Sequence, residues 1–175
     1  DFDAAELNKM RTFPKAHDAH NRRVEADRWF QKGIDLEQSG APLEEIMAAY
    51  RKAAELNPGL ASAFVNLGTL CYHGREWKQA EEYYKKALES DPQYALAHFN
   101  LGNLFDELGD RSRAFFHYRA ALQLNPVYAD AHYNLALLHQ TSGHIMKAVS
   151  HWTAYLKLDV SSDWAAIARR ELDKL

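Results

Sequence analysis

Apolar and small side chains recur at helical spacing along residues 60–93, with one interruption. Phe64, Leu67, Gly68 and Cys71 fall at i, i+3, i+4 and i+7, one stripe of an α-helix. Beyond a turn at His73–Glu76, the residues Ala80, Tyr83, Tyr84, Ala87 and Leu88 repeat the period and predict a second amphipathic helix. Small residues in the Gly68, Ala80 and Ala87 positions predict a close approach of the two helix backbones.

The pattern returns every 34 residues. Stepping by 34 links Ala61, Ala95 and Ala129; Asn66, Asn100 and Asn134; Leu67, Leu101 and Leu135; and Ala80, Ala114 and Ala148. It also links Tyr50, Tyr84 and Tyr118, and the prolines 58, 92 and 126 that close each unit in Asn-Pro or Asp-Pro. Proline cannot extend the helix before it and pushes its predecessor out of α geometry, so the chain must turn there. Such a period is the mark of a stacked repeat. These residues resemble the tetratricopeptide repeat (TPR) family, whose repeat is a pair of antiparallel helices. The expected fold is therefore all-α, a right-handed α-solenoid of about four helix-turn-helix repeats with a C-terminal capping helix.

Residues 1–16 carry mixed charge and Pro14 without a sustained period, and read as a linker or arm. The first helix is expected to begin near residue 18. Repeats follow at about 17–59, 60–93, 94–127 and 128–161, the first with a loop lengthened by one residue at Ser39–Pro42. The last repeat departs from the others. Ala136, Tyr155 and Val160 stand where glycine, alanine and proline stood, so no regular repeat is expected after it. Residues 162–175 read instead as the capping helix, with Trp164, Ile167 and Leu172 packing and Arg169, Arg170 and Glu171 facing away.

Composition narrows the function classes. The chain has 175 residues, 47% hydrophobic and 26% charged, a globular composition. No run approaches the roughly 18 apolar residues of a membrane span. A net charge of −3 argues against nucleic-acid binding through the repeats. Cys71 is the lone cysteine and falls in a packing position, as a buried structural thiol would. The opening Asp1-Phe2-Asp3 does not resemble a signal peptide, and cytoplasm is the expected compartment.

Phosphate loops, dinucleotide fingerprints, HExxH and paired CxxC are all missing from the sequence. A non-enzyme is expected, with no cofactor and no metal. Among the nine histidines, His98 and His132 share one position of the repeat, and His117 and His151 another, as structural histidines would. Metal sites at His132, His139 and His144, or at His17 and His20, lack a completing carboxylate or cysteine.

Function is expected on the stripe opposite the packed one, where Ser62, Asn66, Thr69 and His73 fall. The resemblance implies that this stripe lines a concave groove holding a partner's peptide. Across repeats it reads Gln31, Asn66, Asn100 and Asn134; Phe30, Val65, Phe99 and Tyr133; Ile34, Thr69, Asn103 and Leu137. The asparagines are expected to form a ladder along a peptide backbone, with aromatic pockets adding affinity and little dependence on salt. Family members that capture chaperone C-termini use lysine, asparagine and arginine in these positions. Phe30, Ile34, Leu96 and Asp130 depart from that set. The expectation is a non-catalytic protein-protein interaction scaffold that binds a peptide segment. The alternative is a regulatory or substrate-recruiting module of a larger protein: a bacterial transcription regulator, whose repeat tails the HWTAYLKLD segment and the tryptophan-bearing last helix resemble, or a transferase, which the family resemblance allows.

Overall fold

The computed structural model describes residues 4–175, with side chains from residue 18 onward. Among these residues every regular element is a helix: α1 (Ala4–Ser39), α2 (Leu43–Leu56), α3 (Ala61–His73), α4 (Trp77–Ser90), α5 (Ala95–Glu107), α6 (Arg111–Leu124), α7 (Ala129–Thr141), α8 (Ile145–Leu158) and α9 (Asp163–Leu172). Each odd helix packs on the even helix that follows it, and each even helix on the next odd one, which makes an all-α solenoid of helical repeats. Helix α1 begins at Ala4 rather than near residue 18. Residues 1–3, and the side chains of the expected arm up to His17, lie outside the described residues. None of the described helices is long and apolar enough to cross a membrane.

Two kinds of turn alternate. Between units, helices end at Asn57, Asp91, Asn125 and Asp159, all in extended backbone, and each side chain accepts from a backbone N–H two residues on. A short polar side chain thus supplies the turn's hydrogen bond. Asp159 keeps it although Val160 replaces the proline. Within units, the turn passes through left-handed backbone at Gly40, Arg75, Gly109 and Gly143. Glycine adopts that geometry without a Cβ penalty; Arg75 does not.

The core is a column of rings on small residues. Tyr50, Tyr84, Tyr118 and Trp152 are almost fully buried, one in each pair. A Cβ on Gly33, Gly68 or Gly102 would lie 2.5 Å from the ring of Tyr50, Tyr84 or Tyr118. The glycines therefore seat a ring of the paired helix rather than bring two backbones together. Ala80, Ala114, Ala148, Ala87 and Ala121 are fully buried, as the small-residue pattern requires. Cys71 is buried as well, and burial pushes its thiol above the usual range.

Helix α9 completes the stack in an unexpected register. Ala63, Ala97, Ala131 and Ala165 share the 34-residue step and are all fully buried, so α9 sits where a further unit would place its first helix. Its buried residues are Ala165 and Ala168, whereas Trp164, expected to pack, is 59% exposed. Ser162 caps the helix by accepting from the Ala165 N–H at 3.1 Å. A polar chain ties it to the preceding pair: Trp152 Nε1 donates to Gln140 Oε1 at 2.9 Å, and Gln140 Nε2 donates to Glu171 Oε2 at 2.8 Å.

Candidate functional site

The predicted groove residues divide into three groups. Val65 is only 2% exposed and belongs to the core, so it is withdrawn from the groove. Its equivalents in the other units, Phe30, Phe99 and Tyr133, are half-buried. Gln31 is exposed and donates to Asp35 of its own helix at 2.9 Å. Ile34 and Leu137 are half-buried.

The polar residues face the stack as much as the solvent. Asn134 Nδ2 donates to Asn103 Oδ1 at 2.8 Å and to Tyr118 Oη at 3.3 Å, while Tyr118 Oη donates to Asn103 Oδ1 at 2.8 Å. One unit earlier, Thr69 Oγ1 lies 3.4 Å from Tyr84 Oη. Tyr50 Oη is buried without a hydrogen bond, with Asn66 and Glu37 as the polar side chains acting on it. Burial pushes Tyr50 and Tyr84 up to about 12. The asparagine position therefore leans back toward the tyrosine of the preceding unit. Ala168 occupies it in α9 and is fully buried. Asn100 alone of the three asparagines has no polar group acting on its amide among the described residues.

Beside these residues lies an aromatic depression of about 430 Å³ between α5, α7, α8 and α9, lined by Phe99, Asp130, Tyr133, Tyr155, Asp159 and Trp164 among others. Tyr133 is its hub. Its ring meets Trp152, Tyr155 and Trp164 edge-on at centroid distances of 5.0, 5.2 and 5.6 Å, favourable for rings of this quadrupole. Phe99 lies 4.9 Å from Tyr128 and 5.9 Å from Tyr118. Of this lining, Phe99, Tyr133 and Asn134 are among the groove contacts that the sequence predicts. Trp164 could have been found by stepping, since it continues the position of Ser62, Leu96 and Asp130.

Carboxylates rim the depression. Tyr155 Oη donates to Asp159 Oδ2 at 2.7 Å, and Ser162 Oγ also donates to that oxygen. These bonds, Ser162 first, hold the Asp159 carboxyl down at about 2, and burial pushes Tyr155 up to about 12. Asp130 is exposed. Beyond Asn134 a second depression of about 280 Å³ is lined by Tyr72, Asn103, Asp106, Glu107 and Tyr118.

The histidines pair across helices. His98 and His117, and His132 and His151, place their Nδ1 atoms 3.0 Å apart, joining the two helices of one unit. His139 stacks on His151 at 5.5 Å and lies 3.4 Å from His144 between Nδ1 atoms. Burial is the main cause that pushes His117, His139 and His151 down to about 4. No group of three or more His, Cys, Asp or Glu among the described residues is arranged for a metal ion. The His17 side chain lies outside those residues.

Sequence profiles described as tetratricopeptide repeat match residues 61–94 and 83–114, and one described as TPR repeat matches residues 107–143. Comparison with curated proteins finds no match. Among solved structures, pilF of Pseudomonas aeruginosa is 26% identical, with a TM-score of 0.76 over 87% of this chain and 69% of that one. YrrB, described as a TPR protein with an unusual peptide-binding site, is 21% identical, with a TM-score of 0.66 over 92% of this chain and 84% of that one. The first TPR of Spaghetti (RPAP3), solved with an HSP90 peptide, is 19% identical, with a TM-score of 0.60 over 65% of this chain and 88% of that one.

Proposed function

Residues 61–143 belong to the tetratricopeptide repeat family, and from that premise we propose that the chain is a non-catalytic protein-protein interaction scaffold holding a peptide segment of its partner. The aromatic depression around Tyr133 carries this reading. There an indole is 59% exposed beside a half-buried aromatic hub, an aromatic surface that a partner's apolar side chain would cover. The same fold carries a peptide-binding site in YrrB and a bound peptide in RPAP3.

The asparagines contribute less than an open ladder would. Asn134 is bonded to Asn103 and Tyr118, so a bound backbone would have to compete with those contacts. Asn100 and the rings of Phe99, Tyr133 and Trp164 are the candidate contacts. Phe30, Thr69 and Gln31 extend the surface toward the first unit.

The experiment is a pull-down from an extract of the source cells with the intact chain and with Trp164→Ala, followed by a peptide array tiled over each protein that the variant fails to retain. A partner lost with Trp164→Ala, and mapped to one short segment, is the expected result. Partners retained equally by both chains would overturn the reading.

A further inference from the structure

We propose that the groove selects a basic segment, in which a lysine or arginine adjoins an aromatic or large aliphatic side chain. This deepens the peptide-binding reading above and rests on it.

The two depressions that meet at Asn134 are lined by four carboxylates, Asp106, Glu107, Asp130 and Asp159, and by no lysine or arginine. None of the four is in an ion pair among the described residues. The depression between α6 and α8 has the opposite sign. Its charged lining residues are Arg119 and Lys147, with no carboxylate. Charge is therefore sorted between faces in a chain whose net charge is only −3.

The aromatic depression takes an apolar side chain, and its rim fixes what must lie next to that side chain. Asp130 is exposed on the same helix as Tyr133, one turn away, so a cation beside the inserted side chain reaches both its carboxylate and the faces of Tyr133 and Trp164. Asp159 is already satisfied by Tyr155 and Ser162 and contributes its field rather than a contact. In the second depression Asp106 and Glu107 are adjacent carboxylates. Burial raises the Asp106 carboxyl, Arg111 opposes this from the end of the turn, and Glu107 adds repulsion that a bound cation would relieve. An acidic tail meets like charge at both places and is disfavoured. The expectation of salt-independent binding, drawn from apolar pockets alone, is replaced accordingly.

The test pans a phage-displayed library of random peptides, about 12 residues long, against the intact chain, enough to span three units at about 10 Å each. Enriched sequences should pair Lys or Arg with Phe, Trp, Tyr or Leu. Synthetic versions should weaken about tenfold with Asp130→Asn and Glu107→Gln combined, at an unchanged melting temperature, and similarly when salt is raised well above physiological strength. Neutral or acidic peptides that still lose binding with Trp164→Ala would overturn the charge selectivity and leave the groove intact. No enrichment, or peptides indifferent to Trp164→Ala, would overturn both. Self-association abolished by Trp164→Ala would assign the groove to a second copy of the chain and overturn the proposal.

Discussion

Gly102 is the seat of the Tyr118 ring: a Cβ at this position would lie 2.5 Å from Cδ1 and Cε1 of the tyrosine. The ring has nowhere to retreat, because its hydroxyl is bonded to Asn103 and Asn134. Gly102→Ala gains about 1 kcal/mol of helix propensity and loses about 1–3 kcal/mol to overpacking, for a net destabilisation of up to about 2 kcal/mol. Gly74→Ala is the control. Its Cβ would meet nothing closer than 3.5 Å, and its urea midpoint should stay near that of the parent chain.

Arg75 holds the left-handed turn position that glycine holds at 40, 109 and 143. Its φ of 60° strains a side-chain-bearing residue. Arg75→Gly should therefore raise stability by about 0.5–1 kcal/mol, less than the full strain because glycine also loosens the unfolded chain. A lower urea midpoint for the variant would contradict this.

The histidine pairs set an acid limit. His117, His139 and His151 have folded pKa values near 4 against an ordinary 6.5, pushed down mainly by burial. His98, Arg113 and Lys85 also disfavour the charge on His117, against Glu81; His144, Lys147 and Arg119 disfavour it on His139; His132 and His139 disfavour it on His151. Between pH 6.5 and about 4 the unfolded chain binds more protons than the folded one, so stability is full above 6.5 and falls through this window. Unfolding free energy measured across it should decline with acid, and His151→Gln should flatten the decline.

The period of the repeat made the helix pairs legible, because it identifies equivalent residues and proline closes each unit. The turn expected at His73–Glu76 falls at Gly74–Glu76, with His73 closing α3. Equivalence does not say which neighbour a residue faces. The glycine position receives a ring from the paired helix of its own unit, set by packing within the pair, whereas the asparagine position leans on the tyrosine of the pair before, set by stacking between units. The helical stripe within α9 groups Trp164 with Ile167 and Leu172, whereas the 34-residue step places it after Ser62, Leu96 and Asp130, and its exposure follows the step.

Gln140 joins the last pair to α9. Removing its side chain leaves the buried Trp152 Nε1 without its acceptor and Glu171 with Lys174 as its remaining donor. An orphaned buried donor costs about 1–3 kcal/mol. Gln140→Ala should lower the urea midpoint accordingly, and Gln140→Glu, which keeps the acceptor but sets a second carboxylate against Glu171, should not restore it at neutral pH. Hydrogen exchange should show the change concentrated in α8 and α9, since nearest-neighbour contacts carry stability in a stacked array.

The two central asparagines separate scaffold from contact. Asn134 donates to Asn103 and Tyr118, so Asn134→Ala removes both bonds and leaves the buried Tyr118 hydroxyl with one partner. At about 0.5–1.5 kcal/mol net per hydrogen bond, the variant should be destabilised by about 1–2 kcal/mol. Asn100 makes no hydrogen bond among the described residues, and Asn100→Ala should leave the melt within about 0.5 kcal/mol of the parent chain. With a groove-bound peptide in hand, the order should reverse. Asn100→Ala should weaken binding by several-fold, while Asn134→Ala should act in proportion to lost stability. Equal stability losses would mean that Asn100 also serves the stack, and equal binding losses at unchanged stability would restore the ladder.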